Sequence, residues 1–146
     1  MPARFLTEVD PAVIDVPRAD VEMNAAIAHA RDTLPTFWAS YDAPQPTEYG
    51  HCLKVRFAGD GYVEHIWMAD VEKLPDGSYS GRFSNEPDNL PGNMLDQAEF
   101  TQADITDWMF MRNEKIVGME TIKPLFKSMP KEDADAMRAR MEQPPH

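Results

Sequence analysis

The sequence predicts a single-domain α+β protein: a small, strongly bent antiparallel sheet, with a barrel-like form as one variant, packs against an N-terminal helix and is followed by a C-terminal helix. Three observations predict this fold. Apolar and polar residues alternate between 51 and 85, which is typical of strands, and a stripe of apolar residues at helical spacing precedes them. The 146 residues are 42% hydrophobic, which is enough for one core without disulfides or a metal.

The N-terminal helix is predicted to begin at Asp20, a residue type that favours the helix N-cap. Its apolar stripe consists of Met23, Ile27, Ala30 and Leu34. Pro35 is expected to end or kink this helix, because proline lacks the backbone N–H that a helix interior needs. Residues 1–19 contain three prolines and are predicted to form an extended arm, so the folded unit is expected to start at residue 20.

The first hairpin of the predicted meander turns at residues 59–61. Placing Ala58 opposite Tyr62 sets Arg56 directly opposite Glu64 on the polar face of the sheet. An opposite-charge pair of this kind contributes about 0.2–1 kcal/mol. The charge pairing therefore favours this register, and a slip by one residue would move every side chain to the other face.

The second hairpin turns at residues 75–78. Placing Lys73 opposite Tyr79 sets Asp70 opposite Arg82, which is a second opposite-charge pair on the polar face. Because two separate hairpins each produce such a pair, the sequence predicts both registers together.

This register determines which titratable side chains can meet. It places His65 and Trp67 on the core face and Cys52 on the polar face, so a Cys–His pair is not expected. His51 shares the face of His65 but lies four positions away along the strand, about 13 Å, which is too far for two ligands of one ion. We therefore expect no catalytic residues, no metal site and no cofactor.

Three further strands are predicted in the second half of the chain, near residues 98–101, 108–112 and 115–118. A last helix is predicted to start at Ser128 and Pro130, with an acidic first turn and a basic last turn that match the helix dipole. The predicted organisation is thus one α+β domain over 20–126 and a helical tail over 127–146.

The formal net charge of −11 bears on partners and location. Such a chain repels phosphate backbones and anionic lipid headgroups, so we expect neither nucleic acid nor a membrane surface as a partner. A basic protein partner is compatible with this charge. The N-terminus lacks the apolar core of a signal peptide and the longest apolar runs are four residues, so a cytoplasmic location is expected. The oligomeric state is not predicted.

The segment between Phe83 and Met111 contains neither lysine nor arginine. Its carboxylates are Glu86, Asp88, Asp96, Glu99, Asp104 and Asp107. Their spacing does not match a calcium-binding loop. A solvated loop surface is one interpretation, and a docking face for a basic partner is another. Asp104 and Asp107 also suit turn or capping roles near Ile105.

Several motifs are similar to those of a known family. They are Glu-His-Ile-Trp at 64–67, Gly81, Asn85 and Pro87, Asp-Ile-Thr-Asp-Trp-Met at 104–109, Ile-Val-Gly at 116–118, and the helix at 23–27 with Leu-Pro-x-Phe-Trp at 34–38. Together these motifs resemble the YegJ-like bacterial family, a conserved domain of unknown function. The resemblance covers residues 20–122 and implies one fold-sized unit without supplying an activity or catalytic residues. The sequence departs from it at Met119-Glu120, and the tail from Pro124 looks like an addition.

The candidate ligand- or partner-binding residues combine the shared positions with the acidic loop: His65, Trp67, Asn85, Glu86, Pro87, Asp104, Asp107 and Trp108. In the predicted register Asn85 lies opposite Trp67 on the core face. There its amide either lines a pocket or caps loop backbone groups inside the core.

Three functions remain open. The first is a non-catalytic binding or interaction module, which is favoured because no nucleophile–base pair, metal set or cofactor loop is predicted. The second is an immunity or antitoxin-like protein whose acidic loop neutralises a basic partner. The third is a small enzyme that uses His65 with Glu64 or Asp107 as acid and base.

Overall fold

The structure is a computed structural model that describes residues 18–59, 61–88 and 92–143. Two helices and six strands confirm the α+β prediction. The helices are α1 (Arg18–Asp42) and α2 (Lys131–Arg140), and the strands are β1 (Glu48–Gly59), β2 (Tyr62–Lys73), β3 (Tyr79–Phe83), β4 (Gln97–Phe100), β5 (Ile105–Arg112) and β6 (Lys115–Gly118). The predicted arm before residue 18 lies outside the described residues.

The six strands form one antiparallel sheet with the order β4-β3-β2-β1-β5-β6. Consecutive strands pair as hairpins, except that the chain returns from β4 to place β5 against β1. Because β4 and β6 are the two edges of this order, the sheet is open. The barrel-like variant is therefore wrong, while the antiparallel sheet is confirmed.

Helix α1 continues through Pro35, so the expectation that this proline ends the helix is wrong, while the alternative of a kink stays a prediction. Apolar residues before and after the proline hold the helix on the sheet: Leu34 is 4% exposed and Phe37 is fully buried. Proline costs about 3 kcal/mol in a helix interior. Burial of the aromatic residues that follow it offsets this cost, which is why packing decides where the helix ends.

We call the face of the sheet that packs on α1 the inner face and the opposite face the outer face. The inner face carries the core, with Leu53, Val55, Ile66, Met68 and Phe110 fully buried. Trp108 also lies on this face, 3% exposed, and contacts Phe37 at 6.4 Å between ring centroids. The outer face is the more open one, because both Arg56 and His65 are exposed there.

The predicted register of the first hairpin is wrong by one residue. Gly59 pairs with Tyr62, so Arg56 lies opposite His65 and Glu64 lies opposite Phe57. The Arg56–Glu64 pair therefore does not form across the strands. The shift turns Ile66 and Met68 to the inner face and moves His65 and Trp67 to the outer face, which contradicts their predicted place on the core face.

The second hairpin starts in the predicted register, with Lys73 opposite Tyr79. An irregularity between Ala69 and Glu72 then shifts the pairing by one residue, so Arg82 lies opposite Ala69 and not opposite Asp70. Asp70 has a positive φ of 50°, as expected of a residue at a bulge. The predicted Asp70–Arg82 pair therefore does not form. The cause is a local bulge, which the alternation of apolar and polar residues does not reveal.

The C-terminal half largely follows the predictions. Strands β4 and β6 and helix α2 lie close to their predicted positions, and Pro130 occupies the N-cap of α2. Strand β5 begins at Ile105, three residues before its predicted start. A 3₁₀ segment, Glu120–Ser128, was not predicted. After α2 the chain returns to β6, where Met141 pairs with Ile116 and the N–H of Glu142 donates to the Ile116 carbonyl at 2.8 Å. This contact covers part of an edge strand.

The predicted division of the chain at residue 126 stays a prediction. No helix in the described part of the chain is long and apolar enough to cross a membrane.

Candidate functional site

The outer face carries a compact group of charged and aromatic side chains on the two central strands. Lys54 lies opposite Trp67, and Arg56 lies opposite His65. Residues two apart on one strand share a face, so all four side chains leave the sheet on the same side. We call these four residues the outer-face site.

Lys54 is the most enclosed cation of the outer-face site. Its Nζ donates to Thr121 Oγ1 at 3.1 Å and lies 5.8 Å from the centroid of the Trp67 ring. Burial lowers the pKa of Lys54, and the nearby carboxylate of Asp107 opposes that shift. The ammonium group is thus fixed against an aromatic ring at the outer face.

His65 is exposed, and its Nδ1 lies 3.3 Å from Thr106 Oγ1. Desolvation is the main cause that lowers the pKa of His65, and the positive charges of Lys54 and Arg56 lower it further. The imidazole is therefore neutral at pH 7. Lys54 and Arg56 thus both lie near the His65 ring.

Arg56 is the exposed cation of the outer-face site. Within the residues that the structure describes, its guanidinium takes part in no hydrogen bond or ion pair. An arginine presents five N–H donors in a rigid fork that matches carboxylate groups. These donors are therefore available to a group from outside the protein.

Asp107 has a structural role beside the outer-face site. Its side chain is 1% exposed and accepts four hydrogen bonds, from the backbone N–H groups of Trp108, Glu120 and Thr121 and from Thr121 Oγ1. Burial raises the pKa of Asp107, and these hydrogen bonds oppose the shift. The carboxylate thus caps the start of the 3₁₀ segment from a neighbouring strand.

The His65–carboxylate pair expected of an enzyme is not assembled. The hydrogen-bond partner of the His65 ring is Thr106, and the oxygens of Asp107 are engaged by Thr121 and the backbone. Glu64 Oε2 accepts a hydrogen bond from the N–H of Asp88 at 2.6 Å. Neither carboxylate is placed to hold His65 as a general base.

Trp108, another predicted site residue, lies on the inner face. Its Nε1 donates at 3.1 Å both to the Ala30 carbonyl and to Thr33 Oγ1 of α1. Trp108 is therefore part of the core and attaches α1 to β5. Its placement separates it from Trp67, with which it shares the predicted site.

The remaining predicted site residues lie in loops. Asn85 and Glu86 are exposed and Pro87 is buried after the end of β3. The N–H of Ser84 donates to the Trp67 carbonyl at 2.9 Å, so the predicted position of Asn85 opposite Trp67 is wrong by one residue. Asp104 accepts hydrogen bonds from the N–H and Oγ1 of Thr101 at 3.1 and 2.9 Å. This is the capping role that the sequence suggested for it. Of the predicted site residues, the structure places His65 and Trp67 together on the outer face, and Asp107 lies opposite Lys54 of the same site.

Cys52 and His65 share the outer face, so their predicted separation onto opposite faces is wrong. They lie four positions apart along the strands, about 13 Å, so a Cys–His pair still does not form. Cys52 Sγ lies 3.8 Å from Ser84 Oγ, and burial raises the pKa of the thiol. His51 lies on the inner face against Phe110, so it does not share a face with His65.

A Ser–His–Glu group lies between α1 and the sheet. Ser40 Oγ lies 2.7 Å from His51 Nε2 and donates to Glu48 Oε1 at 2.9 Å. In a hydrolase triad the carboxylate holds the second ring nitrogen of the histidine, whereas here it holds the serine. Arg112 then pairs with Glu48 at 2.9 Å, so the group is a buried polar network.

In the described ranges, no three His, Cys, Asp or Glu side chains are grouped so that they could hold a metal ion.

The sequence interpretation missed Lys54 and Arg56 as site residues, although it placed both on the polar face. A two-residue Asp-Gly turn at 60–61 is the strongest short hairpin signal, and it predicts Gly59 opposite Tyr62. That register places both cations beside His65 and Trp67. Thr106 and Thr121 carry no comparable sequence signal.

Comparison with known proteins identifies relatives. Residues 20–141 match a family described as "Uncharacterized protein conserved in bacteria (DUF2314)". The chain is 33% identical over 120 residues to the uncharacterized protein YegJ of Escherichia coli, covering 82% of this chain and 76% of that protein. It is 31% identical over 136 residues to a putative ankyrin repeat protein of Neisseria meningitidis serogroup B, covering 85% of this chain and 52% of that protein. The chain thus spans about half of this second relative. No solved structure matches.

Proposed function

The chain belongs to the bacterial family of uncharacterized conserved proteins DUF2314, and from this premise we propose that it is a non-catalytic binding module whose partner contacts the outer-face site. The observation that carries the proposal is the exposed Arg56, which has no hydrogen bond or ion pair among the described residues and lies opposite an exposed His65. Polar groups held without an internal partner at a fixed position are available for recognition.

The arrangement of the titratable groups supports binding over catalysis. A general base needs a group within hydrogen-bond reach that orients it, and the ring of His65 has only the Thr106 hydroxyl among the described residues. Burial raises the pKa of Cys52, which disfavours the thiolate that a nucleophile requires. The described residues of this face therefore supply neither an oriented general base nor an activated thiol.

A fragment screen by ¹H–¹⁵N NMR tests the proposal. Binding of neutral, anionic and cationic fragments is expected to shift the amide signals of β1 and β2 around the outer-face site. Trp67→Ala is expected to reduce those shifts, whereas Leu125→Ala, which removes an exposed apolar side chain from the 3₁₀ segment, is not.

Shifts confined to other surfaces would contradict the proposal. Turnover on a broad hydrolase panel that is abolished by His65→Ala would contradict its non-catalytic part.

The immunity-like hypothesis stays a prediction. Two of its acidic residues are used inside the protein, Asp104 in a cap and Asp107 beneath the 3₁₀ segment. Glu86 and Asp88 are exposed in the loop after β3 and are the carboxylates that such a docking face would use. Salt-sensitive binding of a cationic partner that is lost on charge reversal at these two residues would favour it.

A further inference from the structure

We propose that the outer-face site binds a carboxylate of an acidic peptide segment in a partner protein. The inference rests on the proposed function and adds the chemistry of the partner. It depends on the charges that converge at the site, on their sum, and on the shape and polarity of the surface around them.

The charges that converge at the site are cationic. Lys54 and Arg56 are two positions apart on β1 and face His65 and Trp67 on β2. Desolvation is the largest cause that lowers the pKa of His65, and the positive charges of both cations lower it further. A bound anion would offset the repulsion between the positive charges of Lys54 and Arg56, and the guanidinium of Arg56 offers it a planar pair of donors.

The net charge at the site favours a monovalent anion. At pH 7 Lys54 and Arg56 are cationic, His65 is neutral, and Asp107 beside Lys54 is a buried carboxylate. One net positive charge remains. It matches a carboxylate better than a doubly charged phosphate, which would leave an uncompensated negative charge next to Asp107.

The surroundings favour a peptide as the source of the carboxylate. Val63 is 49% exposed and lies on the same face as His65, and the ring of Trp67 is half-buried beside Lys54. The ligand therefore also meets apolar surface. Cavities of about 320 and 450 Å³ lie along α1, α2 and the 3₁₀ segment, and their linings contain no residue of the outer-face site. An extended segment with a glutamate between apolar residues fits an open face of this kind.

The test is a titration of the full chain with two blocked peptides, Ser-Leu-Glu-Leu-Ser and Ser-Leu-Gln-Leu-Ser, followed by ¹H–¹⁵N NMR. The glutamate peptide is expected to give saturable shifts at the outer-face site. The glutamine peptide is expected to bind about tenfold more weakly, because charge-assisted hydrogen bonds are about twice as strong as neutral ones. A phosphoserine peptide and free sulfate are expected to bind no more tightly than the glutamate peptide.

Variants separate local contact from overall charge. Arg56→Gln is expected to weaken glutamate-peptide binding about tenfold while leaving the glutamine peptide unaffected. Lys131→Gln makes the same charge change at a side chain on α2 that is 89% exposed, and it is expected to have no effect. Because Arg56 is exposed and makes no hydrogen bond within the described residues, its replacement is not expected to disturb the fold.

Several outcomes would overturn the inference. Equal binding of the glutamate and glutamine peptides at the outer-face site would contradict the preference for a carboxylate. It would not contradict the proposed binding function. Tighter binding of the phosphoserine peptide would replace the carboxylate with a phosphate. If neither the peptides nor any fragment shifts the outer-face signals, the inference and the proposed function both fail.

Discussion

The two faces of the sheet use their polar groups in opposite ways. On the inner face these groups are matched within the protein: Trp108 Nε1 donates to α1, Tyr41 Oη donates to the Val71 carbonyl at 2.6 Å, and Ser40 joins His51 to Glu48. On the outer face Arg56 has no hydrogen bond or ion pair among the described residues. Inner-face polar groups thus contribute to stability, whereas the guanidinium of Arg56 on the outer face is available for recognition.

The largest expected difference is between the two tryptophans. Trp108→Ala is expected to lower the free energy of unfolding by about 4 kcal/mol, because it leaves a cavity and unpairs its contacts with α1. Trp67→Ala is expected to cost about 1 kcal/mol, since that ring is half-buried and its defined polar contact is with Lys54. Urea unfolding followed by circular dichroism measures both. Similar losses for the two variants would show that the faces do not differ in this way.

Replacement of Asp107 tests whether this residue acts in stability or in binding at the outer-face site. Asp107→Ala is expected to cost about 3 kcal/mol, because it leaves the buried N–H of Thr121 and the partly buried N–H of Glu120 without their acceptor. Asp104→Ala is the matched control, and removal of its cap is expected to cost about 1 kcal/mol. Unfolding by urea gives both values. A stable Asp107→Ala variant that loses peptide binding would instead make Asp107 a recognition residue.

Much of the fold could be predicted because its signals are local. The apolar stripe that includes Ala30 and Leu34 predicted α1, and the charge pattern after Pro130 predicted α2. The strands were predicted by alternation and by turn residues. The end of α1 was not predicted, because the contacts that carry the helix past Pro35 come from the sheet and not from the local sequence.

The site could be predicted only in part, because both faces of β2 carry apolar residues. Val63 and Trp67 occupy one phase and Ile66 and Met68 the other, so alternation alone does not identify the buried face. The bulge at Asp70 then moves Val71 to the inner face, and that made the wrong phase appear continuous. Composition showed that the chain is acidic, but the convergence of Lys54 and Arg56 depends on the register.

The acid sensitivity of the molecule is expected to come from the two carboxylates that pair with Arg112. Its guanidinium joins Glu48 at 2.9 Å and Glu142 at 2.7 Å, and the Glu48 side chain is 5% exposed. A backbone hydrogen bond from Gln45 is the main cause that lowers the pKa of Glu48, and the hydrogen bond from Arg112 is the main cause for Glu142.

Because both folded-state pKa values lie below the ordinary value of 4.5, the two carboxylates stabilise the fold above that pH. This stability is expected to be lost as the pH falls through the folded-state values. Arg112→Met is expected to cost about 2 kcal/mol at neutral pH and to flatten the acid limb of the stability profile. Lys131→Met, which removes an exposed pair with Asp135, is expected to change stability by less than about 0.5 kcal/mol. An unchanged acid limb in Arg112→Met would assign the acid sensitivity to other carboxylates.

The smallest expected effect on stability is at Arg56, on the outer face of the sheet. Arg56→Gln is expected to change the free energy of unfolding by less than about 0.5 kcal/mol, because the side chain is exposed and unpaired among the described residues. The same change is expected to raise the pKa of His65, since the positive charge of Arg56 is one of the causes that lower it. An NMR titration of the imidazole signals measures this shift.

Arg82→Gln is the matched control for that titration. Arg82 is also exposed, and its guanidinium donates to the Leu95 carbonyl. It is not among the causes of the His65 shift, so its replacement is expected to leave that pKa unchanged. A loss of more than about 1 kcal/mol in Arg56→Gln would place Arg56 with the stabilising residues of the inner face. An unchanged His65 pKa in that variant would mean that the cations do not converge. If Arg56→Gln leaves the free energy of unfolding unchanged and raises the pKa of His65, the charge of Arg56 affects the electrostatics of the outer face and not the stability of the fold.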